Sequence, residues 1–257
     1  PGDYAQRLEK MYDYYLKLAM PDGRYPGLND AGFGSSIGPL KQGLELFPER
    51  TDFEYVASQG TTGTTPDFTS IHFPYAGWGV MRSGWGPEDL YLHYEYGPYG
   101  AGHQHEDKLS FVVHAYGRRL LTEAGVYAYD SSQWRRYVLS SRAHNTIMVD
   151  GMEQNRRGLR ETYVTADPLP NRWVSNTQFD LAEGWFDEGY GPERDRRVTH
   201  RRAILFIKPE YWLVIDRLTP SDEGVHRYDA MFHFDTEEAQ ATHGVKGAVT
   251  TYGEGAN

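Results

Sequence analysis

GHQHEDKLSFVVHAYGRRLLTEAG, residues 102–125, is the stretch on which the reading of the fold turns. Residues 109–116 and 119–123 carry the apolar, aromatic and β-branched alternation of strands. Tyr116-Gly117-Arg118 between them is a tight turn, so the segment reads as an antiparallel hairpin. A hairpin turning at Gly117 returns Glu123 to the end where His103 and His105 lie. In extended backbone, two histidines two residues apart point to the same side.

Strand texture continues outward from this hairpin. It recurs upstream at residues 77–82 and 90–96, and downstream at 145–150, 161–166, 180–186, 198–207, 211–218 and 227–234. Lys208-Pro209-Glu210 joins two of these as a second hairpin. Many strands with short connections and no intervening helices predict an antiparallel β-sandwich. The tail, residues 244–257, is rich in Gly, Thr and Ala and closes no strand set. The N-terminal part differs. Leu8, Met11, Tyr12, Tyr15, Leu16 and Ala19 recur at spacings of three and four, predicting an amphipathic helix over residues 4–18. Asp3 is its expected N-cap and Pro21-Asp22-Gly23 its stop. After a Gly-rich loop at 27–38, a short helix is expected at 39–47, stopped by Pro48. Two short helices make a poor domain alone and read as the closing turns of a helical structure that began before Pro1. The polar stretch 58–69 separates them from the strands.

The chain has 257 residues, a length that suits one large β domain or two smaller units. Hydrophobic residues are 39% of it, but 20 Tyr, 11 Phe and 6 Trp add large contact areas that suit sheets and, in clefts, sugar faces. With no cysteine there is no disulfide framework and no thiolate metal site. A net charge of −10 argues against nucleic acid as a partner. No apolar run approaches the roughly 18 residues of a membrane span. Arginines 118, 119, 135, 136, 142, 156, 157 and 160 form a local basic excess that either faces an anionic ligand or lies in solvated ion pairs.

His103, His105, Glu123 and His144 are the candidate chemistry. Neutral imidazole is a common zinc ligand, and two histidines with one carboxylate make a zinc set that leaves a position for water or substrate. In a chain with 10 histidines a lone His-x-His pair also arises by chance. A cupin barrel uses such a pair too, but Glu106 and Asp107 follow too soon and no Glu occupies the cupin spacing.

The run quoted above, followed by RRYVLSSRAHNTIMVDGMEQ at residues 135–154, resembles the central signature of heparinase II/III-like polysaccharide lyases. The flanks resemble that family as well. Met20-Pro21-Asp22-Gly23 with Asn29-Asp30-Ala31 is similar to the last helices of its incomplete (α/α) toroid. GWGVMRSGWG at 77–86 is similar to the entry to its sandwich, and RRAILFIKPEYWLVID at 201–216 to a later hairpin. The resemblance implies a toroid end and linker over 1–69 and an antiparallel sandwich over 70–257. It implies zinc as cofactor on His105, Glu123 and His144, although the family usually carries Asp where Glu123 stands. His103 and Tyr129 are the catalytic candidates it points to, with His103, Asn145 and Arg135 as substrate contacts. Asp107 suits orienting a metal-bound imidazole. The implied reaction is β-elimination on a uronic-acid-containing anionic polysaccharide, glycosaminoglycan or alginate-like, by a periplasmic or secreted protein able to pair through its β domains. The zinc is expected to be structural. General base and acid are expected before Pro1, so that residues 1–257 alone bind zinc but turn over little. The alternative is a carbohydrate-binding β-sandwich without catalysis.

Overall fold

The computed structural model describes residues 3–100, 102–155 and 166–236 in full, and the backbone of 238–242 and 248–252. The expected strand at 161–166 and Arg156, Arg157 and Arg160 fall outside the described residues, save Ala166.

Helix α1 spans Tyr4–Leu18, as the periodicity predicts, and buries Leu16 and Leu18. Asp3 is not a side-chain cap: its backbone is already helical, and its carboxylate accepts from Arg7 Nε at 2.6 Å instead. Helix α2, Ile37–Leu46, starts two residues before the expected 39, because Ser35 Oγ accepts the Ile37 N–H. Pro39 is harmless there, since a first-turn N–H has no helical partner. A third helix, α3 at Thr51–Ala57, was not expected from the sequence. It supplies what two helices lacked: Phe53, Val56 and Ala57 close a small core with Leu16, Ala19 and Leu40. Arg50 ties the group together, bonding Glu9, Asp13 and Asp52 from one guanidinium.

The strands are β1 (Ile71–Phe73), β2 (Trp78–Arg82), β3 (Tyr91–Glu95), β4 (Phe111–Ala115), β5 (Arg118–Leu121), β6 (Ile147–Val149), β7 (Arg172–Ser175), β8 (Phe179–Phe186), β9 (Val198–Ile207), β10 (Tyr211–Pro220), β11 (Tyr228–Ala230), β12 (Glu238–Thr242) and β13 (Ala248–Tyr252). A last helix, α4, spans Gln133–Leu139. Strands β1 to β5 form an antiparallel meander, and β10-β9-β8-β7 a second antiparallel sheet. Strands β6 and β11 pair, as do β12 and β13, so the tail does close a hairpin, contrary to expectation. The two-residue turn between β4 and β5 places Tyr116 and Gly117 at positive φ, as a type I′ turn requires.

Period-two alternation decides which face each side chain serves. Met81, Leu92, Tyr94, Phe111 and Val113 meet Ala182, Ile204 and Phe206 of the second sheet in the main core. Val80, Tyr91 and Val112 on the opposite face pack on Leu18 and Met20. The first sheet is thus covered on both sides, by helices and by the second sheet: an antiparallel sandwich following a helical region.

One buried cation locks these layers. The Arg202 side chain, 0% exposed on β9, donates from Nη1 to the carbonyls of Leu109 (2.7 Å) and Asn145 (2.6 Å). Its Nε and Nη2 grip Asp216 at 2.7 and 2.9 Å, and the His200 ring donates to the same carboxylate. Arg202→Ala leaves Asp216 uncompensated and two carbonyls unmet; the expected cost is about 3–5 kcal/mol in urea denaturation. Burial alone would raise the Asp216 carboxyl, but the hydrogen bonds from His200 and Arg202 outweigh it and hold the pKa at about 2. A depressed carboxyl stabilises the fold above its unfolded value of about 3.9, and that contribution is lost as pH falls toward 2. Asp216→Asn is therefore expected to flatten the acid limb of a stability–pH curve between those values, while lowering stability at neutral pH.

Candidate metal and substrate site

The His-x-His segment is not a strand. His103 sits at φ 55° and Leu109 at φ 67°, and the backbone between is irregular. The two imidazoles converge for a different reason from extended alternation: both reach one carboxylate. Asp30 Oδ2 lies 2.9 Å from His103 Nδ1, and Asp30 Oδ1 lies 3.0 Å from His105 Nε2. Asp30 comes from the loop between α1 and α2 and is nearly buried. Arg135 of α4 binds the same two oxygens, Nη2 to Oδ2 at 2.9 Å. Burial would raise the Asp30 carboxyl, but the hydrogen bonds from Arg135, His105 and His103 hold it well below the usual carboxylate range. Asp30 therefore acts as a fixed negative charge, a role its sequence context did not signal.

Beneath this clamp lies a buried polar cluster. Burial lowers the His105 imidazole to about 4, so the ring is neutral. Its Nε2–H donates to Asp30, and Nδ1 keeps a lone pair buried without a hydrogen-bond partner. Asp107 Oδ1 is likewise buried without a hydrogen-bond partner, with Lys108 Nζ 3.7 Å away, and burial raises this carboxyl. Glu123 accepts from Ser110 Oγ through one oxygen and from His144 Nδ1 through the other. Burial would lower the His144 imidazole, but the Glu123 charge outweighs it and raises it to about 9. His144 Nε2–H donates to the Val138 carbonyl at 3.1 Å.

His105, Asp107 and His144 offer ligand atoms that all lie within 4.8 Å of one another. Two imidazoles with carboxylate oxygen form a donor set suited to a divalent cation of the zinc type, provided that His144, which here donates through both ring nitrogens, gives up a proton on binding. The unpartnered His105 Nδ1 and Asp107 Oδ1 are the observation in favour, because buried polar atoms rarely go unmatched. The structure brings His105, Glu123 and His144 into one cluster and adds Asp107 to it. Asp107 has an oxygen outside any hydrogen bond, whereas Glu123 spends both of its own on Ser110 and His144.

His103 and Tyr129 stand above the clamp at the surface. The Tyr129 hydroxyl is 3.3 Å from His103 Nδ1, and its ring is 71% exposed. Arg135 lies over that ring at 5.0 Å. Both residues line a cleft of about 530 Å³ between the helices and the first sheet. Tyr14, Tyr15, Tyr25 and Trp78 contribute aromatic surface to it.

Two expected substrate contacts have their polar groups engaged within the fold. Asn145 is fully buried and satisfied: its Nδ2 donates to the Phe111 and Thr122 carbonyls, and its Oδ1 accepts the His233 N–H. It staples strands. Arg135 is spent on Asp30 and Tyr129, its side chain 11% exposed, so it positions the cleft floor instead of presenting a free cation. Two other members of the basic excess at 118–160 are ion-paired: Arg119 with Asp235 at 2.9 Å and Arg142 with Glu153 at 2.7 Å.

Gln154 closes the motif quoted above, and its function is now visible. Its Oε1 accepts from the Tyr99 hydroxyl and the Lys108 N–H, and its Nε2 donates to the Lys108 carbonyl and Thr146 Oγ. Lys108, buried beside it, is bonded to Glu95. These residues hold the loop carrying His105 and Asp107 against the sheet.

Comparison with known proteins agrees with this architecture. The family model "Heparinase II/III-like, C-terminal" matches residues 65–257, and "Heparinase II/III N-terminus" matches 1–55. A heparin-sulfate lyase of Pedobacter heparinus is 26% identical over 224 residues, covering 84% of this chain and 32% of that protein. One from Bacteroides stercoris is 25% identical over 236 residues, covering 87% and 32%. The crystal structure of heparan sulfate lyase HepC from Pedobacter heparinus superposes with a TM-score of 0.69 at 25% identity, over 86% of this chain and 33% of that one. A heparinase III gene product gives 0.74 at 21% identity, over 96% and 37%, a likeness of fold. The chain spans about a third of the length of the curated relatives it matches. With the C-terminal family model covering most of its length, and the sandwich and helical region arranged as described, the chain belongs to the heparinase II/III-like family.

Proposed function

We propose that this chain is the sandwich-bearing part of a polysaccharide lyase that cleaves a uronic-acid-containing, glycosaminoglycan-type polymer by β-elimination, with zinc at the His105–His144 centre. The observation that carries the reading is the stacking of two units through one carboxylate. Asp30 joins the cleft-facing His103 to the buried His105. The relatives named as heparin-sulfate lyases support the substrate class. A periplasmic or secreted location goes with a polymer too large to cross a membrane, and α1 to α3 are read as the end of the helical toroid.

β-Elimination removes the proton at C5, beside the uronate carboxylate, and protonates the leaving glycosidic oxygen. The central demand is to neutralise that carboxylate as charge builds on it, which preorganised donors meet. With His103 Nδ1 held by Asp30, Nε2 is the atom left to meet the substrate carboxylate. Tyr129, whose hydroxyl lies 3.3 Å from His103, is placed to pass a proton at the cleft. No Lys or Arg is among the described residues lining the cleft, so recognition rests on His103 and on the aromatic faces of Tyr14, Tyr25 and Trp78. His105 and His144, with Glu123 and Asp107, would hold the zinc. When bound, it ties the 102–111 segment to the chain at His144 and balances the buried carboxylates; the elimination itself needs no metal-activated water.

Elemental analysis of the purified natural protein carrying these residues is expected to find one zinc per chain, lost in His105→Ala and His144→Ala with a fall in melting temperature. Full metal retention in both variants would remove the zinc assignment. Ultraviolet absorbance of the unsaturated product reports the reaction on heparan sulfate, chondroitin, hyaluronan and alginate. His103→Ala and Tyr129→Phe are each expected to lower kcat by about 10²-fold or more with zinc content unchanged. Asp30→Asn is expected to lower activity through misplacement of both histidines. Absence of unsaturated product from every polymer, with binding retained, would turn the reading to a carbohydrate-binding sandwich.

A further inference from the structure

Arg82 is a second fully buried arginine, and its surroundings differ from those of Arg202. Arg202, Arg135 and Arg50 each have a carboxylate partner at hydrogen-bond distance. Arg82 has none within 4.0 Å among the described residues, although it is only 1% exposed. Its guanidinium caps the end of α1: Nη2 donates to the Lys17 carbonyl at 3.2 Å and the Ala19 carbonyl at 3.0 Å. It lies over the Trp85 ring at 3.8 Å and the Tyr91 ring at 4.9 Å. Nε is buried without a partner. A helix C-terminus offers about half a negative charge, and aromatic faces add a modest attraction. Neither replaces a counter-ion for a cation removed from water.

The Ala19 carbonyl and the Trp85 ring that hold this guanidinium also line a pocket of about 200 Å³. Met20, Tyr55, Val56 and Gln59 form other parts of its wall, and Arg82 is the charged residue among the lining. Burial pushes the Arg82 guanidinium down to about 10, against the opposite pull of Tyr91 and of Asp89, whose carboxylate stands beyond ion-pair distance. The pocket is separate from the cleft of His103. Trp78 and Arg82 lie on the same face of β2, about 13 Å apart at about 3.3 Å per residue, with the fully buried Val80 between them.

We propose that this pocket is a binding site for a small oxyanion, a carboxylate or sulfate group, which supplies the charge that Arg82 lacks. The group belongs either to a free ion or to an acidic sugar; Tyr55 and Trp85 give the pocket the aromatic wall a sugar ring would use. The site is independent of the lyase reading, and its loss would leave the product assay unaffected.

Calorimetric titration of the natural protein with sulfate, acetate and glucuronate, at ionic strength matched with chloride and with glucose as neutral control, tests this. Saturable binding of the oxyanions and none of glucose is expected, accompanied by a rise in melting temperature that saturates with it. Glucuronate binding at least tenfold tighter than acetate assigns an acidic sugar; equal affinities assign a free ion. Arg82→Lys is expected to weaken binding tenfold or more. Gln59→Glu, an exposed position that leaves every Arg82 contact in place, sets a carboxylate at the pocket and is expected to do the same. Oxyanions that bind no better than chloride, or a Gln59→Glu protein that binds them as tightly as the parent, would overturn the proposal.

Discussion

The Arg202 guanidinium is the contact on which the rest of the molecule turns. It crosses from the second sheet to the carbonyls of Leu109 and Asn145, which flank the two segments carrying the candidate ligands. A positive charge in a sandwich core is costly, and Asp216 with the His200 ring makes it tolerable. The return is geometric: the loop after His105 and the chain at His144 are set against one rigid strand. Metal ligands and reacting groups need that kind of support, because a site that loosens by an ångström loses most of its effect.

Above this lock, carboxylates organise the site in tiers. Asp30 joins the helical region to both histidines of the pair and to α4. Glu123 joins the end of the central hairpin to His144. Asp107 keeps one oxygen outside any hydrogen bond, 3.7 Å from Lys108 Nζ. Each is buried or nearly so, so each charge acts in a medium of low dielectric, where a misplaced partner costs far more than at a surface. Gln154 and Lys108 add a neutral and a charged brace behind the ligand loop. The surface tier, His103 with Tyr129, is free to meet a ligand because the tiers below have absorbed the strain of holding it.

The cleft and the pocket at Arg82 show opposite treatments of charge. At the cleft, the nearby cation Arg135 is neutralised by Asp30, leaving an aromatic surface with one imidazole. At Arg82 the cation has no carboxylate within 4.0 Å among the described residues and rests on carbonyls and rings. A basic residue count over residues 118–160 therefore says little about where an anion binds. What matters is which buried guanidinium lacks a carboxylate at contact distance after folding, and Arg82 lies outside the basic stretch.

Local periodicity and turn chemistry were enough to place α1 residue for residue, both hairpins, most strands and the antiparallel sandwich. The hairpin also brought His103, His105 and Glu123 into one group, because its two ends must meet, and the family resemblance added His144. Other features depended on contacts between distant parts of the chain. Helix α3 has 7 residues, too few for a periodic signal, and is held by Arg50 and a shared core. Asp30 lies 73 residues from His103 and 105 from Arg135, so no spacing rule links them. Whether Asn145 faced a sugar or stapled strands, and whether Arg135 was free or clamped, depended on which polar groups burial left in need of a partner. Sequence determined the elements and the chemically able residues; the packing of layers decided which of those residues were spent on holding the fold and which remained for chemistry.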